Sequence, residues 1–147
     1  MTTAFKSLTA ALVAALVAAP ALAGGRVYAN RLRPIPQAQA TAVVVRLVAS
    51  QSQEVALGAL DWSTQFSVEC MGRGSAGADP LDAVDALLLE VWPRLAGLNA
   101  AALGAMAVVV DAGVEWEFDE GEASTASATV RLTVQHRTPT ASLTAWP

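Results

Sequence analysis

One thiol, one imidazole and one glycine-rich string are the groups of this sequence best suited to chemistry: Cys70, His136 and Gly72-Arg73-Gly74-Ser75-Ala76-Gly77. The string has the G-x-G-x-x-G form that brings a dinucleotide pyrophosphate onto backbone amides at a helix N-terminus. That site needs its helix to begin inside the motif. Here Asp79-Pro80, an N-cap followed by an N1 proline, starts the helix beyond the last glycine and sets a carboxylate where phosphate would sit. The strand before the string is half polar, and Asp111 lies far beyond the ~20-residue offset of a ribose-binding acid. A flexible loop is therefore expected at 72–78. Strand alternation turns both Cys70 and His136 inward, where a nucleophile and its base is one reading and two packed side chains the commoner one. A single Cys and a single His do not make a zinc set.

The acidic residues divide into two groups. Asp79, Asp82 and Asp85 recur every third residue, as a cap and first-turn carboxylates on a solvated helix face do. Asp111, Glu115, Glu117, Asp119, Glu120 and Glu122 lack the glycine and the ligand spacing of a calcium loop. No catalytic, cofactor-binding or metal-binding set is expected. Arg26, Arg31, Arg33 and Arg46 form the opposite pole. Solvated surface is the plain account of each pole, and a head-to-tail contact between subunits is the other. The candidate interface set is accordingly Arg26, Arg31, Arg33, Arg46, Glu115, Glu117, Asp119 and Glu120.

The elements that must carry these residues fit one domain over 1–147. The chain is 54% hydrophobic and 15% charged, much of the apolar content being alanine. Nine Lys+Arg against thirteen Asp+Glu is the wrong balance for a sequence-specific nucleic-acid partner. The lone cysteine makes no intrachain disulfide. Residues 1–20 fit two templates. Lys6, the apolar run from Leu8 and Ala21-Leu22-Ala23 before Gly24 match a signal peptide. Phe5, Leu8, Leu12 and Leu16 match the buried stripe of a docking helix that Pro20 would end. The run is too short to span a bilayer, so no membrane partner is expected.

Next come a short extended piece at 26–30 and an exposed loop at 31–40 broken by Pro34 and Pro36. Ala42–Ala49 reads as a strand covered on much of both faces and central in its sheet. Gln51–Gly58 reads as a polar loop, and Trp62–Cys70 as a strand with one wet face. A helix follows from Asp79-Pro80, kinked or ended by Pro93. Met106–Val110 and Val114–Phe118 read as strand pieces around a bulge at Gly113, the second with Val114, Trp116 and Phe118 inward. A turn at 119–122 leads into a last strand over Ala128–His136. The fold class is α+β, a mostly antiparallel sheet of about four main strands with two helices on one face.

Several strings taken in order resemble the lambda-type tail terminator (minor tail protein U-like) family of long-tailed bacteriophages. They are Arg26-Val27-Tyr28-Ala29-Asn30-Arg31-Leu32-Arg33-Pro34, Val43 to Leu47, Leu60-Asp61-Trp62-Ser63-Thr64 and Val68-Glu69-Cys70. The series continues through Asp79 to Leu88, Val91-Trp92, Glu115 to Glu120 and Val134 to Thr138, covering nearly the whole chain. No single string is diagnostic, and Pro93 inside the second helix departs from the pattern. The resemblance implies a non-enzymatic ring subunit, typically hexameric, at the head-proximal end of the tail in the virion, assembled in the host cytoplasm. Its partners would be further copies of itself, the tail tube protein and a head completion or connector protein. Another neck protein is the nearest alternative; a secreted β-rich binding domain is another if residues 1–23 are cleaved, and an enzyme comes third.

Overall fold

Thr3 accepts a hydrogen bond from the Lys6 amide and so starts helix α1 (Ala4–Val17), whose Leu8, Leu12 and Leu16 are buried. In this computed structural model, residues 1–18, 20–31, 36, 39–74, 79–119 and 124–147 are described. After a single 3₁₀ turn come strands β1 (Val27–Ala29), β2 (Thr41–Ala56) and β3 (Ala59–Arg73), helix α2 (Pro80–Ala96), a second 3₁₀ turn, and strands β4 (Ala107–Asp119) and β5 (Thr125–Pro139). They form one sheet in the order β1-β2-β3-β5-β4. The four long strands are antiparallel neighbours, and the short β1 joins the edge parallel to β2. The architecture is thus the expected α+β one, with β1 as a fifth, short strand.

Both helices pack on one face. Leu8, Leu12 and Leu16 of α1 and Val84, Leu87, Val91 and Leu95 of α2 meet Val43, Val45, Phe66, Val68, Cys70, Val130, Leu132 and Val134 of the sheet. Nineteen buried side chains form this one cluster, which is the core of the domain.

Several boundaries differ from expectation. Residues 51–56 are strand, not loop, because β2 and β3 remain paired to Ala56↔Ala59 around a two-residue turn at Leu57-Gly58. Gly58 sits at φ +84°, a conformation that tight hairpin turns demand. The α1 helix ends at Val17, short of residue 20. The apolar Ala42–Val45 stretch is not central, since β3 holds that place. Its second face is covered by a small separate cluster, Ala42 and Val44 against Tyr28 and Met71. Pro93 neither ends nor interrupts α2, which runs on to Ala96. Pro93 gives up the one i→i−4 hydrogen bond to the Leu89 carbonyl, but it stands exposed in the last turn with only three helical residues after it. The β4 register shifts between Val110 and Val114, where the bulge was expected.

Arg94 links the two helices. Its guanidinium donates to the carbonyls of Leu16, Ala18 and Pro20, at and just beyond the end of α1. A cation there satisfies orphan carbonyls and opposes the negative end of the helix dipole.

Candidate assembly surface

The two poles of charge lie at opposite edges of the sheet. Arg26 precedes β1, Arg31 follows it and Arg46 stands on neighbouring β2, whereas Glu115, Glu117 and Asp119 stand on β4. Arg33, Glu120 and most of the 31–40 loop fall outside the described residues, as do Ser75–Ala78 of the glycine string and residues 120–123 of the last turn. The three acids alternate with Trp116 and Phe118, so they share the sheet face away from the helices with their partners Thr129, Ser127 and Thr125.

Each described arginine of the basic pole is held. The Arg26 guanidinium donates to the Thr41 carbonyl (2.7 Å) and the Thr41 hydroxyl (3.2 Å), pinning the start of β1 to β2. Arg31 lies over the Tyr28 ring at 4.3 Å, a cation–π contact. Arg46 pairs with Glu69 across β2 and β3. On the far side Glu115 pairs with Arg131 at 3.3 Å, both well exposed. These surface pairs contribute about 0–1 kcal/mol each. Their use lies in holding charged heads in place on each edge. Asn30, at φ +47°, donates its amide to the Val45 carbonyl and accepts the Leu47 amide on its side chain, which closes the pairing of β1 with β2.

The residues singled out for chemistry are kept apart. Cys70 faces Ala128 on β5, and His136 lies eight residues further along that strand, about 26 Å away at the usual rise per residue. No nucleophile–base pair exists between them. Burial, reinforced by the nearby Glu69 charge, pushes the Cys70 thiol up to about 12, so it stays protonated and inert. Native protein should therefore resist maleimide at pH 8 and react promptly in denaturant; labelling at equal rates in both would contradict the buried assignment.

His136 is wedged among aromatic rings. Phe5 meets it edge-on at 5.3 Å, and Trp62, in edge contact with Phe5 at 5.0 Å, lies nearly parallel to the imidazole. Its Nε2 hydrogen-bonds the Thr64 hydroxyl at 2.8 Å, while Nδ1 has no partner among the described residues. Burial lowers its pKa from the ordinary value. The unfolded chain then binds the extra proton first as pH falls, so stability is full above about pH 6.5 and declines below it, by at most ~1.4 kcal/mol per pH unit for one proton. Urea midpoints between pH 7.5 and 5 should show this fall, and His136→Gln should reduce it; an unchanged slope in the variant would assign the effect elsewhere. Close by, Asp61 and Arg137 form a two-bonded pair at 2.6 and 3.0 Å across β3 and β5, and the arginine's hydrogen bond holds the Asp61 carboxyl below its usual range.

The glycine string has a packing explanation at its first residue. Gly72 is buried in β3 beside the start of α2, and a Cβ there would stand 2.8 Å from Val84 Cγ2 and 3.0 Å from the Pro80 carbonyl oxygen. Asp79 caps α2 by accepting the Leu81 amide at 2.9 Å, the role expected for it. Asp82 and Asp85 are exposed on the helix.

Sequence reading missed one feature. Val114, Trp116 and Phe118 do face the helix side of the sheet, but they are not buried: Trp116 is 42% and Phe118 56% exposed. Across from them on α2, Leu89 is 71% exposed. Among the described residues no helix is long and apolar enough to cross a membrane.

No family model matches the chain, and no curated protein matches it. A solved structure whose designation names no function is similar over 90% of this chain and 91% of its own, at 20% identity and a TM-score of 0.44. A likeness so slight fixes neither fold nor function.

Proposed function

We propose that this chain is the tail terminator subunit of a long-tailed bacteriophage, a non-enzymatic protein that closes into a ring on the head-proximal end of the tail tube. The ring stops tube growth and offers the surface on which a head completion or connector protein joins. The observation that carries this reading is the placing of a basic and an acidic pole at opposite edges of one open sheet, together with the ordered resemblance along the chain. A subunit in a closed ring meets its neighbours through two different patches, so both complementary patches must sit on every copy. Charge of this kind sets register and encounter rate more than affinity. Raised salt should thus slow assembly more than it dissolves formed rings.

Electron microscopy of the purified protein at assembly concentrations, followed by addition of growing tail tubes, tests the proposal. Rings that halt tube growth at one end are the expected result; hexamers would match the family's usual number. Failure both to form rings and to bind tube ends overturns it. Reversal of Arg31 and Arg33 to Glu should slow ring formation, and wild-type rates across ionic strengths would detach the ring from this charge pairing. Rings that join heads without capping tubes would instead indicate another connector of the neck.

A further inference from the structure

The helix layer stops one strand short of the sheet. α1 lies over β1 and β2 and α2 over β3 and β5, which leaves the helix side of β4 exposed at Trp116 and Phe118, past the partly buried Val114. Asp85, Leu88, Leu89, Trp92 and Pro93 of α2 and Val114 of β4 line a mostly apolar groove of about 340 Å³, with the Asp85 carboxylate at its rim, and Trp116 and Phe118 continue the row of Val114 along β4. Soluble proteins seldom leave such a groove against a sheet edge that has no outer strand.

We infer that this groove seats a second copy of the chain, taken at that copy's opposite edge where α1 overlies β1, an inference that rests on the ring reading above. The charges select this occupant. On the reverse face of the groove strand stand Glu117, Asp119 and Glu115, the last paired with Arg131, and on that same face of the opposite edge stand Arg46, paired with Glu69, and Arg31, over Tyr28. On the helix side of that edge, β1 exposes Ala29, and the outer surface of α1 above it carries Ala10, Ala14 and Val17 together with Lys6 and Ser7. Two copies set edge to edge in the same orientation therefore match layer by layer, apolar to apolar under the helices and acid to base on the open face. A two-fold pairing of β4 edges would instead put acid against acid. The contact is heterologous, and on the ring reading its rotation is the one that closes. Desolvated aromatic anchors supply most of the affinity in such interfaces, the charged rim little.

The test compares the wild type with Trp116→Ser/Phe118→Ser and, on the other wall, with Leu89→Ser. Leu89 is 71% exposed, so Leu89→Ser should melt as the wild type does and serves as the fold-neutral variant, while the double variant, at 42% and 56% exposure, is compared below its own measured melting temperature. Mass photometry across a dilution series should show the half-assembly concentration raised about 30-fold or more by the double variant. At protein concentrations where Phe118→Cys still assembles, a short bismaleimide should join it to Ala29→Cys of a second copy, the buried Cys70 staying silent. Variants that assemble like the wild type, with no such cross-link, overturn the inference while leaving the ring standing. Variants that form rings but no longer bind tube ends overturn it too, assigning the groove to the tube protein. A wild type that stays monomeric at every concentration removes the ring reading and this contact together.

Discussion

A chain lacking residues 1–23 is expected to lose cooperative unfolding altogether. Those residues contribute Leu8, Leu12, Leu16 and Leu22 to the core, each at most 3% exposed. Full burial of a leucine stabilises by roughly 1.5–3 kcal/mol, so four of them amount to about 6–12 kcal/mol, against a usual total of about 5–15 for a domain. The deletion also strips the cover from Val43 and Val45 and leaves Arg94 without the carbonyls it caps. Circular dichroism during thermal melting measures the loss, and Leu12→Ala gives a graded version, at about 2–5 kcal/mol. Intact mass of the native protein completes the test. A chain beginning at Gly24 that still melted sharply would show that the segment is a leader and not part of the fold.

The second large effect is expected at Gly72. No flexible side chain surrounds the missing Cβ: the nearest atoms are Val84 Cγ2 at 2.8 Å, the Pro80 carbonyl oxygen at 3.0 Å and Ala83 Cβ at 3.1 Å. Valine is stiff at χ1 and the Pro80 carbonyl belongs to the first turn of α2, so the strand and the helix must separate to admit even a methyl group. Gly72→Ala should cost about 1–3 kcal/mol, and Gly72→Val more, as overpacking of a filled site does. Because α2 would lift from β3 at its N-terminus, amide exchange in its first turns should rise before global unfolding. The neighbouring Gly74→Ala serves as the control for the glycine string as such. If Gly72→Val melts with the wild type, close helix–strand approach is not the reason for the glycine.

Local signals in the sequence were strong where one principle acted alone. Asp79-Pro80 named the start of α2, the Leu8, Leu12 and Leu16 stripe named the buried side of α1, and Asp111-Ala112-Gly113 marked the irregularity of β4. They failed where two causes give one pattern. Continuous apolarity at Ala42–Val45 suggested a central strand, but it comes from a second small cluster on the reverse face. Polar residues at Gln51–Glu54 suggested a loop, but the unpaired-edge end of a strand, exposed on both faces, has the same composition. The candidate surface was half legible: alternation gave the direction of Trp116 and Phe118, yet not their cover. Counting would have helped. A helix about 10 Å wide covers roughly two strands spaced about 4.8 Å apart, so two helices leave one strand of five bare. Which strand stays bare depends on the sheet order, and alternation is blind to that.

The centre of the sheet also sets the tempo of folding. β3 is flanked by β2, its neighbour in the chain, and by β5, whose partners run from Arg73↔Thr125 out to Ala59↔Pro139. The β2–β3 hairpin can close as soon as it exists, but the inner strand keeps one naked edge until residues 125–139 arrive. Pairing over such separations carries a loop-closure penalty before any contact rewards it, which places folding toward the slow, millisecond-to-second end for a domain of this size. During that interval Phe66, Val68 and Cys70 lie uncovered beside an open strand, and nascent chains crowded together would find one another there. Synthesis at low temperature, or dilution before the last strand docks, should therefore raise the yield of native protein.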